Sequence, residues 1–145
     1  MSTTSTAGTG GLGTAVLSRS LLQGSAAGAA AATTVNAALW AGGRAADVSF
    51  TVSSAFMTQV GIATIVVTTL VAFAAGSGVL ALAARRSRRW VRAVLVAAAL
   101  VAVLSAGAPL AAAQDTATGV LLAMMHLVTG TAFLVTAWRV IPPVS

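Results

Sequence analysis

The chain reads as an all-α protein, a four-helix transmembrane bundle with both termini in the cytoplasm and a disordered N-terminal tail. Three observations predict this. Of its 145 residues, 58% are hydrophobic and 7% charged, with a mean hydropathy of +0.97, whereas a soluble domain carries about 25% charged residues. Successive apolar runs each reach ~20 residues, which at ~1.5 Å per residue matches ~30 Å of hydrocarbon. Five of the eight arginines fall in one octapeptide, Arg85-Arg86-Ser87-Arg88-Arg89-Trp90-Val91-Arg92, between two such runs. Charges this sparse cannot cover a water-facing surface, so the surplus apolar surface has to meet lipid.

Residues 1–17 are rich in Ser, Thr and Gly without periodicity or bulk, and are expected to be a disordered tail before a single membrane domain, 18–145. The first span, 21–41, is mostly Ala and Gly with Gln23 and Asn36 inside. Ala contributes little insertion energy, so this helix depends on packing against its neighbours. A cleaved signal peptide is the alternative, with Arg19 as its basic start and Ala45-Ala46 at the cut. The apolar stretch is longer than the usual ~7–15 residues, which favours a retained span. In the loop from Gly42 to Ala55, Val48, Phe50 and Val52 alternate with polar residues, a short extended pattern expected to lie across the bundle mouth.

The second span, 57–83, is rich in Val, Ile and Thr, and the third, 91–112, is nearly all Ala, Val and Leu. Pro109 leaves the carbonyl of Ser105 without its helical partner and predicts a kink or an early end. Asp115 is placed to cap the fourth span, 116–139, its carboxylate on orphan amides at the positive helix end. Pro142-Pro143 forbids further helix. Small residues should face inward: Gly24, Gly28 and Ala32 in span one, Gly61, Thr64, Thr68, Ala72 and Ala75 in span two, Gly119, Ala123, His126 and Gly130 in span four. Leu, Val, Ile and Phe on the other faces should meet lipid.

Orientation follows from the arginines. The knot formed by Arg85, Arg86, Arg88, Arg89 and Arg92 marks the cytoplasmic side and a surface for lipid headgroups. Arg19 and Arg139 fall on that same side, leaving Arg44 alone outside. Trp90 and Trp138 then mark the inner interface and Trp40 the outer one. A pI near 12 would suggest nucleic acid in a soluble domain, but here the arginines are accounted for as topological signals and no nucleic-acid partner is expected.

His126 is the sole histidine and the one titratable group inside a span, and an ionisable residue at that depth is a functional candidate by default. It lies about 16 Å along the helix from Asp115, too far for direct proton transfer. The bland alternative is a neutral ring that donates one hydrogen bond and fixes packing. Asn36, Arg44, Asp47, Gln59 and Asp115 are expected to gather at the outer mouth, either as a clamp on helix register or as a shallow site for a small polar ligand. No metal or cofactor is expected. Cys and Glu are absent and His occurs once, short of a metal ligand set, and haem would need a second histidine from another copy.

Several stretches carry a family likeness: Asn36-Ala37-Ala38-Leu39-Trp40 with Gly43-Arg44-Ala45-Ala46, the arginine knot, and Asp115-Thr116-Ala117-Thr118 with Met125-His126-Leu127-Val128 and Gly130. Together they resemble an uncharacterised family of small four-span membrane proteins from high-GC Gram-positive bacteria. The resemblance implies a four-helix fold and an integral membrane location, and carries no activity with it. The expected function is therefore that of a multi-pass plasma-membrane protein without catalytic activity, a membrane component or partner subunit. Its partners are the bilayer and either another copy or another membrane protein. The rival is a small transporter or proton-coupled carrier using His126. Multidrug exporters with four spans depend on a Glu in the first span, which this chain lacks.

Overall fold

The computed structural model describes residues 10–54 and 57–140, with residues 10–18 described by backbone alone. Four helices follow one another: α1 Gly10–Ala45, α2 Ile62–Arg86, α3 Arg88–Ala112 and α4 Thr116–Val140. Three of them, α2, α3 and α4, are long and apolar enough to cross a membrane, as a multi-pass membrane protein requires. At 25 residues each, they reach about 37 Å. Their outward faces are apolar, with Val67, Leu82, Val101 and Leu104 all more than half exposed, a surface that suits hydrocarbon rather than water.

The helices form a ring in which α4 packs closely on α3 and α1, α1 on α2, and α2 more loosely on α3. Neighbours run antiparallel: Gly24 in the first half of α1 abuts Val140 at the end of α4, and Gly43 near the end of α1 abuts Leu121 in the first half of α4. One end of the bundle therefore carries Arg19, the arginine knot and Arg139, and we call it the basic end. The other, holding the α1–α2 loop and the α3–α4 turn, is the capped end.

Helix α1 is longer than expected. It begins at Gly10, inside the stretch expected to be a disordered tail. Ala, Leu and Val at 12–17 are all compatible with helix, and no proline interrupts them. Residues 1–9, the rest of that expected tail, lie outside the described residues. The G-x-x-x-G of α1 is used within the chain. A Cβ on Gly24 would meet Val140, and one on Gly28 would collide with Thr136 and Phe73.

Helix α2 starts later than expected. Residues 57–61, assigned to the span from sequence, join the loop instead, with Gly61 as the extended N-cap. The stripe expected to face inward on α2 does not: Thr68, Ala72 and Ala75 are exposed, and Ile65, Thr69, Phe73, Leu80 and Ala83 are the buried face. The phenylalanines of the spans also depart from expectation. Phe73 and Phe133 are buried rather than turned to lipid, and they meet edge to face at 5.9 Å. The G-x-x-x-G groove on α1 and Gly76 on α2, whose added Cβ would strike Phe133, make room for these large rings between backbones.

Pro109 neither stops nor shortens α3 by much. The helix runs on to Ala112, and the amide of Ala113 bonds the Pro109 carbonyl at 2.9 Å. The turn at the basic end is a single residue, Ser87, which closes α2 and caps α3 by accepting from the amide of Trp90.

The core has two apolar layers. Towards the basic end, Ala29, Ala32, Phe73, Leu80, Val91, Phe133 and Ala137 pack together. Towards the capped end, Phe50, Val52, Ile65, Leu122 and Met125 do so. The loop between α1 and α2 supplies Phe50 and Val52, so it plugs the bundle mouth. The expected alternation is visible in burial, since Phe50 and Val52 are buried and Ser49 is exposed. The backbone is not a continuous strand, however. Phe50 sits at φ 53, left-handed, a conformation that costs a bulky residue about 1–3 kcal/mol. Its amide donates to the Thr118 hydroxyl at 3.1 Å and its ring packs on Trp40 at 6.2 Å, which hold it there. Trp40, expected at the outer interface, is thus tied into the plug, its indole N–H on the Val60 carbonyl at 3.2 Å.

Candidate functional site

Between the two apolar layers lies one layer of polar contacts. Asn36 of α1 is 1% exposed. Its amide nitrogen donates to the hydroxyls of Thr69 on α2 at 3.1 Å and Thr129 on α4 at 2.9 Å. The Thr129 hydroxyl passes its own proton back to the Met125 carbonyl at 2.8 Å. The spacing explains the placement. Asn36 stands one turn from Ala32 and Leu39, Thr69 one turn from Ile65 and Phe73, and Thr129 one turn from Met125 and Phe133, so each helix contributes to both apolar layers and to the polar layer between. The amide oxygen of Asn36 is buried without a hydrogen-bond partner, an arrangement that costs roughly 1–3 kcal/mol in apolar surroundings.

This layer is the floor of a cleft. The loose seam between α2 and α3 opens into a cavity of about 500 Å³ that reaches Asn36, with α4 at its back. The exposed stripe of α2, Thr68, Ala72 and Ala75, forms one wall, and Ala97, Val101 and Ser105 of α3 form the other. His126 lines it from α4 and is itself exposed. The ring nitrogen Nδ1 stands 2.8 Å from the Leu122 carbonyl. A carbonyl only accepts, so Nδ1 carries the proton, and in the neutral ring Nε2 is left as a bare acceptor. The hydroxyls of Thr68 and Ser105 donate to carbonyls of their own helices, Ala102 for Ser105 at 3.3 Å and Thr64 for Thr68 at 2.7 Å, so they too present lone pairs. No Arg or Asp lines the cleft.

A second polar group sits at the capped end. Asp115 caps α4 as expected. Its carboxylate accepts the Thr118 amide at 2.7 Å, the Thr118 hydroxyl at 2.7 Å and the Ser49 hydroxyl at 2.8 Å. The Thr118 amide, then the Thr118 hydroxyl, then that of Ser49 hold its carboxyl below the usual carboxylate range. The plug is strapped to the same turn, with the Ser53 amide on the Ala112 carbonyl at 2.8 Å and the Gln114 amide on the Thr51 carbonyl at 3.1 Å.

The residues expected to gather at the outer mouth are therefore divided. Asp115 is in the cap with Ser49 and Thr118. Arg44 turns to the Val48 carbonyl at 3.5 Å. Asp47 holds a left-handed turn at φ 57, and exposed Gln59 pairs through its backbone with Thr51. Asn36 is not at the mouth but deep in the bundle, since small neighbours on α1 let Thr69 and Thr129 approach it. Of the candidate polar residues, His126 and Asn36 line the same cleft, and the others do not. The knot arginines Arg85, Arg86, Arg88, Arg89 and Arg92 are exposed at the basic end. Sequence reasoning missed Thr69, Thr118, Thr129 and Ser49. The Asp-x-x-Thr spacing at a helix start was a usable signal for Thr118, whereas Thr69 and Thr129 are marked only by the register of three helices.

Among the described residues no three His, Cys, Asp or Glu side chains come together to hold a metal ion. No curated protein and no solved structure matches the chain. A family model does, over residues 16–142, which takes in all of α2, α3 and α4 and most of α1, and the chain therefore belongs to DUF6069, a family of unknown function.

Proposed function

We propose that the chain is a four-span protein of the plasma membrane, with both termini cytoplasmic, that acts by binding rather than by catalysis. It holds an uncharged, lipid-soluble molecule with a hydrogen-bond-donating head in the α2/α3 cleft, alone or as a subunit of a larger membrane assembly. The observation that carries this reading is the convergence of polar side chains from all four helices on one apolar cleft that opens sideways. Asn36, Thr68, Ser105 and His126 all reach it. At about 500 Å³ it falls within the ~300–1,000 Å³ of ordinary ligand sites. A donating head matches the cleft, because Thr68 and Ser105 give their own protons to helix carbonyls and present lone pairs, and a ring protonated on Nδ1 presents Nε2 as an acceptor. An uncharged ligand matches the cleft, because no Arg or Asp lines it. The fourth span is supported by the packing of α1 along α4 and by Asn36, which ties α1 into the bundle. The orientation is supported by seven of the eight arginines lying at one end together with exposed Trp90 and Trp138.

The test uses a long-chain primary alcohol bearing a photoactivatable diazirine, added to purified protein in phosphatidylcholine vesicles. Labelling should map to peptides of α2, α3 and α4 that line the cleft, fall several-fold with the methyl ether of the same probe, and disappear in Ala75→Trp. Equal labelling of wild type and Ala75→Trp, or labels scattered over the lipid-facing leucines, would sink the reading. Reporter fusions after Arg89 and at the C-terminus should both score cytoplasmic, and an external score at either end overturns the orientation.

A carrier remains the competing reading because His126 opens on the cleft. It predicts proton or solute flux in reconstituted vesicles that His126→Ala abolishes. Flux at the level of empty vesicles for both proteins discards it.

A further inference from the structure

We propose a second binding site, on the other face of α2: the groove between α1 and α2 holds an acyl chain of an anionic phospholipid whose phosphate rests on Arg85. The groove has a volume of about 940 Å³ and is lined by apolar side chains, among them Leu22, Ala26, Leu70 and Ala81. At its floor the Ser77 hydroxyl donates to that of Ser25 at 2.8 Å, which pins the two helices together without closing the space above. Gly78 belongs to the wall, and a Cβ there would meet nothing within 4 Å.

Of the five arginines in the knot, Arg85 lines this groove. An apolar trough that ends at a guanidinium matches a hydrocarbon chain that ends at a phosphodiester, and a guanidinium pairs with phosphate through two parallel N–H donors. The charge balance of the chain argues the same way. Its two acidic side chains, Asp47 and Asp115, lie at the capped end, one helix length or about 37 Å away. Arg88 and Arg89 also stand in the first turn of α3, where the helix dipole is unfavourable for cations. Counter-charge for this end has to come from outside the side chains of the protein, and anionic headgroups at the bilayer surface are the source within reach. The site is independent of the α2/α3 cleft and stands or falls without it.

The experiment reconstitutes the full chain in phosphatidylcholine vesicles doped with phosphatidylglycerol that carries a diazirine in its acyl chain, or with the matching phosphatidylcholine probe. Labels should fall on α1 near Ala26 and on α2 near Gly78, with phosphatidylglycerol favoured about fivefold, the equivalent of ~1 kcal/mol per arginine near a charged surface. Arg85→Gln should remove that preference while Arg139→Gln, at the same end but outside the groove, keeps it. Gly78→Phe should fill the open wall and abolish groove labelling by both probes. Excess soluble glycerol 3-phosphate should leave labelling unchanged. Equal labelling by the two lipids in wild type, an unchanged pattern in Gly78→Phe, or displacement by glycerol 3-phosphate overturns the proposal.

Discussion

Two seams of the same bundle use the same kinds of residue to opposite ends. Along α3/α4, small residues meet small residues. Gly130 lies so close to Ala102 that no Cβ fits between them, and an atom added at Gly119 would come within 3.4 Å of the Leu110 Cα. Along α2/α3, the small stripe of Thr68, Ala72 and Ala75 faces Ala97 and Val101 across a gap. A row of small residues does not by itself close an interface. It permits close approach, and whether the approach happens depends on what the partner helix is already holding. Here α4 is held by α3 and α1 together, while α2 is engaged elsewhere, its Phe73 against Gly28 of α1 and its Gly76 against Phe133 of α4.

The closed seam is most vulnerable at Gly130. Gly130→Leu drives a side chain into Ala102 and should cost about 1–3 kcal/mol or more by overpacking, read as a lower unfolding temperature in detergent. If Gly130→Leu unfolds like wild type, the α3/α4 seam is not closed in the way described.

Asn36 ties the closed half to the open half. Asn36→Ala removes two hydrogen bonds but also an amide oxygen without a partner. Interhelical hydrogen bonds in membranes average ~0.6 kcal/mol, so the two together are worth about 1.2 kcal/mol. Removal of an amide oxygen whose burial costs roughly 1–3 kcal/mol offsets most or all of that, leaving a net loss under about 0.5 kcal/mol. Thr69→Val and Thr129→Val each lose one such bond with no offset and should each cost about 0.6 kcal/mol. A loss far above this in Asn36→Ala would mean that the amide oxygen has a partner in the membrane, and the cleft ligand is the first candidate.

The placement of α2, α3 and α4 was legible because hydrocarbon thickness sets helix length and charge marks the ends. The Asp115 cap was legible because the device is local, contained within four residues. The polar layer was not. Asn36, Thr69 and Thr129 are separated by more than thirty residues at each step, and their meeting depends on the register of three helices, which composition does not report. The plug was half legible. Burial of Phe50 and Val52 follows from alternation, but the left-handed turn at Phe50 depends on the Thr118 hydroxyl across the bundle. The cleft was read with the wrong sign, because a small-residue stripe predicts close approach and is silent on whether a partner arrives.

The cap bounds the open seam at one end, since it straps the α1–α2 loop to the α3–α4 turn. Because the Asp115 carboxyl titrates lower in the folded chain than in the unfolded one, its contribution to stability is complete above the ordinary carboxylate value. It is lost as pH falls through that value and on through the lowered one. Asp115→Asn should therefore lower the unfolding temperature at neutral pH and converge with wild type in acid. A gap between the two proteins that stays constant across that range would show that the ionised carboxylate is not what the cap uses.

The smallest effect on stability belongs to the open seam, and it is the most telling about function. Ala72 is exposed in the cleft wall, so Ala72→Leu projects into the cavity without displacing a packed neighbour. Leu is about as good a helix former as Ala, and substitutions away from packed features usually stay within ~0.5 kcal/mol. The same side chain occupies volume that a ligand would need. Unfolding temperature and alcohol-probe labelling, measured on the same preparation, should then separate: the first unchanged, the second reduced several-fold. A packing defect would move both together or neither. A binding cleft loses its occupant while the fold stays as it was, which distinguishes space kept open for a ligand from space left over between helices.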